Sequence, residues 1–553
     1  MKKRKVITLI ASILVLTMML SSCGDGTSGT STTTADGGAE TKSSPASSAK
    51  SDEKDTTTAD NNTSSSEKLT ITYSAPGVDV STGVDTNYGS LVAAQVSEEF
   101  NIEFEYISVT FNDWDEKMRI WINSNDLPDL SAWRGGFNEQ KSYAEQELLK
   151  KLPDDWRANW PNLAKAFDAA PINTKMEESL GGVYSMGRPI FSLNSPAERL
   201  GPHTGAYMRQ DWAEAVGIQL DDTMTASEVY EYLSLVKEKN PGNIEGEFYP
   251  LVFLSRFMDS FVTQLGSTYA HKSSAFFADG DGVYRWGPGE QETLESLKIV
   301  NKMYHEGLLH PEFYTFIEPD HLAEFYTTGK IAMTFDSGMV YHFYTFDQNM
   351  DQNLGLGFGE DKEGRPVTIL GDDENFHSPA MSNVFGYMVF APSISDEKLE
   401  RCLDLLDWVS TEDGQRTILL GVEGEEWEYA ADGEIEMIDG SYAENAIVTI
   451  LGQIYLLTDD FQFTNPSFPK EYRELCKRMY ELKDSESTSA TLPGELDWTL
   501  EFHSSPAKNQ ATLDYSDEYT QLIIMPGDIE ENWNAWVAEK MPMMQPLLDE
   551  LNA

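Results

Sequence analysis

Alternating apolar and polar residues predict a run of short strands and helices beyond the first 67 positions of the chain. Residues 68–73 form a first predicted strand, and residues 102–106 alternate apolar with acidic side chains, as a half-buried strand does. Helical spacing of apolar residues occurs at 90–100 and at 112–125, before an apolar stretch at 127–130. The order strand, helix, strand, helix, strand predicts a parallel sheet with crossover connections.

The later part of the chain continues this mixture of elements. Helices are predicted at 226–239, 290–307 and 395–409, and apolar strands are predicted at 331–335 and 387–391. The pattern therefore predicts an α/β fold class, built from more than one unit.

The first 22 residues have the layout of an export signal. Basic residues at 2–5 precede an apolar run at 6–20, which is too short for a comfortable membrane-spanning helix. Two serines then precede Cys23, and this stretch resembles the lipobox of bacterial lipoproteins, in which the cysteine is acylated and becomes the first residue after cleavage. The resemblance implies that residues 1–22 are removed and that Cys23 carries lipid. An ordinary signal peptide with an incidental cysteine is the alternative.

Residues 23–67 are predicted to be a disordered tether. From 24 to 66 nearly half of the residues are Ser or Thr, and aromatic residues, Leu, Ile and Val are absent. Such a segment cannot bury enough apolar surface to offset its ordering entropy. Random-coil scaling gives it a root-mean-square reach of roughly 35–40 Å.

The net charge of the chain limits the classes of molecule that it can bind. With 92 acidic and 40 basic residues, the formal net charge is -52. This field repels nucleic acids and other anionic polymers, so no nucleic-acid partner is expected. It also disfavours contact with an anionic membrane surface, so we expect the membrane to be reached only through lipid on Cys23.

Three cysteines exclude a disulfide framework as the basis of the fold. With Cys23 assigned to lipid, Cys402 and Cys476 remain, and both fall in predicted helices. Buried free thiols are expected at both positions, with one disulfide as the alternative.

Several stretches occur in a characteristic order along the chain. They lie at 20–23, 125–129, 182–186, 208–217, 306–313, 329–333, 405–415 and 421–424. Their order and spacing across residues 68–430 resemble the extracellular solute-binding lipoproteins of bacterial ABC importers, specifically the carbohydrate-binding, family 1-like group of Gram-positive bacteria. No single stretch is specific, and the resemblance fades after about residue 430.

The resemblance implies a periplasmic-binding-protein-like fold, in which two α/β lobes are joined by crossing hinge strands and close on a sugar. Lobe one is expected at 68–200 plus 336–410, and lobe two at 201–335 plus 411–553. The resemblance also implies a monomer that is lipid-anchored at the extracellular face of the cytoplasmic membrane. Its expected partners are an oligosaccharide ligand and ABC permease subunits.

Candidate ligand contacts follow from the chemistry of sugars. Aromatic rings stack on the apolar faces of pyranoses, and planar polar side chains bind pairs of hydroxyls. We selected such residues at predicted strand ends, at presumed crossings between the lobes and in loops. They are Tyr73, Trp133, Arg134, Arg209, Asp211, Trp286, Asp336, Ser337 and Trp427. Core packing, a salt bridge or turn chemistry is the alternative for each.

No cofactor and no metal are expected. Some members of the resembled family carry a calcium loop of EF-hand type, but the corresponding stretch here, 239–250, lacks most of the alternating carboxylates that would bind calcium. The chain also has no Gly-x-Ser-x-Gly, His-Glu-x-x-His, Walker or Cys-x-x-Cys motif. An enzyme is therefore not expected.

The sequence favours a membrane-anchored extracellular protein that captures an oligosaccharide for an ABC importer. An exported glycoside hydrolase is the first alternative, and it would need two carboxyl groups about 5–9 Å apart in one cleft. A surface receptor for a peptide or polyamine, or one that serves a sensor kinase, is the second.

Replacing Cys23 by alanine is expected to abolish labelling of the protein by a fatty-acid analogue in cells, because the Cys23 thiol would be the acceptor of lipid. Metabolic labelling measures this, with Cys402→Ala as the matched control that keeps Cys23. Label that persists on Cys23→Ala would contradict lipid attachment at this residue.

Overall fold

The structure, a computed structural model, describes most of the chain beyond the predicted tether. The described residues are 68–75, 91–110, 113–189, 204–317, 320–354, 364–379, 384–438, 463, 465–466, 468–485 and 496–553. The predicted signal, Cys23 and the tether lie outside the described residues. Within the described part, none of the helices combines the length and the apolar character needed to span a membrane.

The strands are β1 (Leu69–Ser74), β2 (Ile102–Tyr106), β3 (Leu130–Trp133), β4 (Ser185–Pro189), β5 (Thr204–Arg209), β6 (Thr223–Thr225), β7 (Phe276–Ala278), β8 (Tyr284–Trp286), β9 (Met333–Ser337), β10 (Gly364–Leu370), β11 (Val384–Phe390), β12 (Trp427–Tyr429) and β13 (Ile435–Met437). The α-helices are α1 (Leu91–Glu99), α2 (Trp114–Ser124), α3 (Phe137–Glu145), α4 (Trp156–Asn159), α5 (Pro161–Asp168), α6 (Pro171–Leu180), α7 (Gln210–Val216), α8 (Ala226–Lys239), α9 (Met258–Gln264), α10 (Gln291–His305), α11 (Asp320–Thr328), α12 (Val340–Leu354), α13 (Asp396–Val409), α14 (Glu412–Leu420), α15 (Lys470–Ser485), α16 (Trp498–Glu501), α17 (Pro506–Gln510), α18 (Tyr515–Ile524) and α19 (Ile529–Leu551).

The first sheet has the strand order β2-β1-β3-β11-β4 and organises lobe one. β1 runs parallel to β2 and to β3, whereas β11 is antiparallel to both β3 and β4. β4 therefore runs in the same direction as β3. The parallel unit expected from the hydrophobic pattern is confirmed, with α1 and α2 as its crossovers.

Helix α2 shows why the sequence folds this way locally. Trp114, Met118 and Ile122 are spaced by four residues, so they share one face of the helix, and all three are buried. The helix ends at Asn125, whose left-handed backbone (φ 57°) stops the helical repeat.

The second sheet has the order β6-β10-β5-β9 and organises lobe two. β5 lies between β10 and β9 and runs antiparallel to both. Helices α8, α10, α18 and α19 pack on one face. Helices α11, α12 and α15 cover the other, where the ring of Tyr207 stacks on Phe343 with centroids 5.3 Å apart. Because helices cover both faces of this sheet, every residue of β5 is buried.

The chain divides between the lobes differently from the expected segments. Strand β10 and helix α12 fall in 336–410, which was expected in lobe one, yet β10 pairs with β5 and α12 packs in lobe two. Conversely, Ile418 and Trp427 follow residue 410 but are buried in the core of lobe one. Hydrophobic periodicity indicates that a face is buried, and it does not indicate which sheet buries it.

Cys402 and Cys476 are both buried free thiols, so the expectation for this pair is confirmed. They lie on α13 and α15, in different lobes. Burial raises the pKa of both thiols well above its ordinary value, which keeps them protonated and unreactive.

Three passages join described elements of the two lobes, and one buried ammonium group of lobe two contacts the chain beside two of them. The passages run from β4 to β5, from β10 to β11, and from β13 to α15. Lys483, on α15, donates from Nζ to the backbone carbonyl of Thr204, the first residue of β5. The same Nζ lies 5.5 Å from the ring centroid of Phe376, just before the chain returns to lobe one. Gln264 also donates to Thr204, from Nε2 to Oγ1 at 2.9 Å.

Burial changes the proton affinity of Lys483. The residue is only 1% exposed, and desolvation lowers the pKa of its ammonium from 10.5 to about 7, against a smaller opposing effect of Cys476. Between these two values the unfolded chain binds more protons than the folded one. The lysine therefore destabilises the fold most below pH 7, and stability rises as the pH increases above it.

Replacing Lys483 by methionine is expected to remove this rise. Relative to the natural chain, Lys483→Met should gain stability at pH 6 and lose that advantage towards pH 9, at up to about 1.4 kcal/mol per pH unit. Urea unfolding at both pH values measures the difference. Lys477→Met, an exposed position on the same helix, is the control and should show no such dependence. Parallel pH profiles for Lys483→Met and the natural chain would contradict the assignment.

Candidate functional site

The edge of the first sheet that faces lobe two is defined by strand ends. β1 and β3 run parallel and end there, at Ser74 and Trp133. Pro189, the last residue of β4, pairs with Val384, the first residue of β11. The chain therefore leaves and re-enters lobe one at the edge where the parallel strands end. In open α/β sheets this is the edge at which ligands bind.

The matching edge of the second sheet is defined in the same way. Thr204, where β5 enters lobe two, pairs with Ser337, the last residue of β9. β10 ends at Leu370 on this side before the chain returns to lobe one. This edge therefore faces lobe one, and we call the space between the two edges the interlobe cleft.

Arg134, directly after β3, is the principal polar group on the lobe-one side of the cleft. Its Nε and Nη2 donate to the two carboxylate oxygens of Asp115, at 3.2 and 3.0 Å. Its guanidinium carbon lies 4.5 Å from the ring centroid of Trp114, which adds a cation–π contact. The two charged side chains are 30% and 38% exposed. The result is a rigid, planar and accessible group of donors and acceptors.

Gly386, on β11, allows this arrangement. Its backbone is left-handed (φ 75°) at the point where the pairing register with β4 shifts. A Cβ atom here would lie 3.1 Å from the carbonyl oxygen of Trp133 and 3.5 Å from the ring of Trp114. A side chain would strain this left-handed backbone and crowd the Trp133 carbonyl oxygen, while the Trp114 ring would remain at ordinary contact distance, so glycine is favoured here.

Asp336 and Ser337 stand on the lobe-two side. Asp336 is 7% exposed, lies 3.6 Å from His342 Nδ1 and accepts a hydrogen bond from the Ser337 N–H at 2.7 Å. Burial acts to raise the pKa of Asp336, but His342, the Ser337 N–H and the charge of Arg256 together hold this pKa below its usual value. The carboxylate is therefore charged at neutral pH.

A short C-terminal segment joins the lobes at one side of the cleft. The ring of Phe502 packs on Phe137 of lobe one, with centroids 4.1 Å apart, and Trp498 stacks on Phe502. The same segment is anchored to lobe two, where the Tyr284 hydroxyl donates to Asp497 at 2.6 Å. This segment thus contacts both lobes at once.

Five of the nine predicted ligand contacts lie at the two edges. Arg134, Asp336 and Ser337 carry polar groups there, as described above. Tyr73 and Trp133 belong to the first edge as well, but their rings are completely buried in the core of lobe one. These two rings pack in the core beneath the sheet edge and have no exposed face on which a sugar could stack.

The other four lie away from the cleft. Arg209 and Asp211 form a two-point ion pair at the far end of β5, because β5 runs antiparallel to its neighbours and its carboxyl end points outward. Trp286 is buried in the core of lobe two and donates to the Tyr515 hydroxyl at 2.9 Å. Trp427 is buried in lobe one and donates to a backbone carbonyl at 2.8 Å.

Sequence reasoning missed Asp115 and Trp114. Both lie in the first turn of α2, directly after the loop that follows β2. The rule that selected Arg134 after β3 applies equally to the segment after β2 and could have identified them. An acidic residue in the first turn of a helix is ordinarily explained by its favourable interaction with the helix dipole. Asp115 fits that explanation, so the sequence alone did not mark it as a ligand contact.

The stretch 239–250 does not fit a calcium ion. Asn240 exchanges two hydrogen bonds with the backbone of Ile244, each 2.9 Å long. The ammonium groups of Lys237 and Lys239 each donate to a backbone carbonyl, where a calcium site would use oxygen atoms for the metal. Among the described residues, no group of three or more His, Cys, Asp or Glu side chains is arranged to hold a metal.

No protein-family model matches the chain, and no curated protein matches it. Solved structures do. The S. pneumoniae ABC-transporter substrate-binding protein FusA, in complex with kestose, has a TM-score of 0.64 and 14% identity, over 88% of this chain and 98% of that chain. The alginate-binding protein AlgQ2 has a TM-score of 0.61 and 15% identity, over 88% and 98%. An HMO-binding, ABC-transporter-associated solute-binding protein from Bifidobacterium longum infantis has a TM-score of 0.61 and 14% identity, over 88% and 98%.

These similarities extend over nearly the full length of each neighbour and over 88% of this chain. At 14–15% identity they establish the fold. The chain therefore has the two-lobed α/β fold of solute-binding proteins, as the resemblance in its sequence implied.

Proposed function

We propose that this protein is an extracellular receptor that binds an oligosaccharide in the interlobe cleft and delivers it to an ABC importer. The observation that carries the proposal is the Arg134–Asp115 pair, which lies over Trp114 at the ligand-binding edge of lobe one. Three solved structures of this fold are named for the sugars that they bind: FusA in complex with kestose, the alginate-binding protein AlgQ2 and an HMO-binding protein.

The chemistry of this pair suits a polyhydroxylated ligand. Arg134 retains guanidinium N–H groups beyond the two that bind Asp115, and each carboxylate oxygen of Asp115 has a further lone pair. Neighbouring hydroxyls of a sugar can accept from the arginine and donate to the aspartate at the same time. Because both side chains are held in one plane, little conformational entropy is lost on binding.

Lobe two would complete the site. Asp336 and Ser337 lie on the facing edge, so a sugar that contacts both edges stabilises a closed arrangement of the lobes through contacts absent from the open one. We assign ligand contacts to Arg134, Asp115, Asp336 and Ser337. Binding and release, without bond cleavage, is the activity proposed.

The finer parts of the proposal concern location. Lipid on Cys23 would hold the protein at the extracellular face of the cytoplasmic membrane, and the tether at 23–67 would let a monomeric two-lobed receptor reach its permease subunits. The charge of -52 would keep the receptor away from anionic lipid headgroups.

A panel of oligosaccharides is expected to contain at least one that raises the unfolding temperature. At about 100 times its dissociation constant, that ligand should add about 2.7 kcal/mol to the free energy of unfolding. Replacing Arg134 by alanine should weaken binding by roughly ten- to hundredfold, because hydrogen bonds to a charged group contribute about 1.5–3 kcal/mol. Isothermal titration calorimetry measures this loss.

Arg416→Ala is the matched control, since it removes an arginine of similar exposure (32%) that pairs with Glu412 within α14. Its affinity should equal that of the natural chain. A panel without any stabilising sugar would refute the proposed function, and release of shorter sugars during incubation would favour the hydrolase instead.

A further inference from the structure

Three described cations near the cleft, Arg134, Arg256 and Lys483, interact with the protein's own groups, and a fourth, Arg188 on β4, is half-buried and acts electrostatically on Tyr73. Arg134 is held at two points by Asp115. On the lobe-two side, Arg256 acts electrostatically on Asp336. Lys483 is 1% exposed, and its Nζ donates to a backbone carbonyl. Across the whole chain, acidic residues outnumber basic ones by 92 to 40.

We propose that the cleft selects uncharged oligosaccharides, and that Asp115 is the specificity-determining residue that excludes acidic sugars. The inference rests on the proposed function and names the class of its ligand. Asp115 disfavours a sugar carboxylate because it occupies one two-point face of Arg134 and places its negative charge beside the donors that remain.

The geometry of the pair gives the reason. A guanidinium binds a carboxylate best through two parallel hydrogen bonds, and Asp115 takes one such face of Arg134, through Nε and Nη2. The stacking of Arg134 on Trp114 restricts its rotation towards another partner. A uronate carboxylate that approached the pair would meet the negative charge of Asp115 at close range. A hydroxyl carries no such charge and can bind either partner.

The charge of the rest of the protein acts in the same direction. With a net charge of -52, the protein repels an anionic ligand during its approach, whereas it leaves a neutral ligand unaffected. Salt screens this long-range part, with a Debye length of about 8 Å at physiological ionic strength. The direct effect of Asp115 acts over a shorter distance, so it should largely persist in salt.

The test compares a single glycan in two forms. The neutral oligosaccharide that gives the largest thermal shift in the panel is oxidised at its C6 hydroxyls to the uronate, which leaves length and linkage unchanged. Calorimetry then gives the affinity of each form for the natural chain, Asp115→Asn and Asp396→Asn, in low and high salt.

Asp396→Asn is the charge-matched control. Its carboxylate is 98% exposed and pairs with Lys150, while nearby Lys398 pairs with Asp129 at the amino end of β3, opposite the cleft. It removes the same formal charge as Asp115→Asn without touching Arg134.

The natural chain should bind the oxidised form at least about a hundredfold more weakly than the neutral one, which reflects both local and long-range repulsion. Asp115→Asn should narrow this ratio by at least about tenfold, since it leaves Arg134 available to a carboxylate. Asp396→Asn should leave the ratio unchanged. Discrimination that comes only from the shape of the oxidised sugar would persist in Asp115→Asn and would overturn the role of Asp115.

Equal or stronger binding of the oxidised form by the natural chain would overturn the inference while leaving the proposed function intact. That comparison needs no variant, so it holds even if Asp115→Asn fails to fold. Absence of binding to every glycan, neutral or acidic, would instead refute the proposed function and the inference together.

Discussion

The entry of the chain into lobe two is fixed by a hydrogen bond to one backbone carbonyl, that of Thr204. It is the point at which the chain enters lobe two, and it accepts from the ammonium of Lys483 on a helix reached only after the third passage between the lobes. Burying an ammonium is costly, and the lowered pKa of Lys483 expresses that cost. An apolar residue would satisfy the packing but would leave this carbonyl with fewer donors. The lysine thus contributes to the specificity of the arrangement more than to its stability.

Among the described residues, an arginine bound at two points by one aspartate and stacked on a tryptophan occurs twice, and one of these pairs lies at the cleft; a third stacked arginine, Arg157 over Trp156, divides its donors between Asp168 and Glu177. Arg134 is paired with Asp115 over Trp114, and Arg209 is paired with Asp211 over Trp212, with guanidinium-to-ring distances of 4.5 and 4.2 Å. In the second pair Arg209 is 5% exposed and Asp211 is 26% exposed, and the arginine also donates to a backbone carbonyl. Residue types alone cannot separate a structural ion pair from a binding group. Exposure and position on the sheet separate them.

This duplication explains how far the sequence could predict the site. The rule that ligands bind at the carboxyl ends of parallel strands correctly placed Arg134 at the edge, because β3 could be recognised from its apolar run. Arg209 was selected at a presumed crossing into lobe two, but the chain enters lobe two at the other end of β5, and the sequence does not show that β5 is antiparallel to its neighbours. Trp286 and Trp427 looked like loop residues, yet each indole N–H has a buried acceptor that only the folded chain brings near. Local patterns predicted the elements, and long-range pairing decided their roles.

The aromatic contact between Phe137 and Phe502 also constrains how the lobes can move. Lys470 of lobe two also forms an ion pair with Glu434, beside β13 of lobe one, at 3.2 Å, so separation of the lobes by translation would break both contacts. Rotation about an axis through the aromatic contact preserves it while the opposite margin opens widely. Under such a rotation, the displacement of a group in the cleft would grow with its distance from this pair of rings.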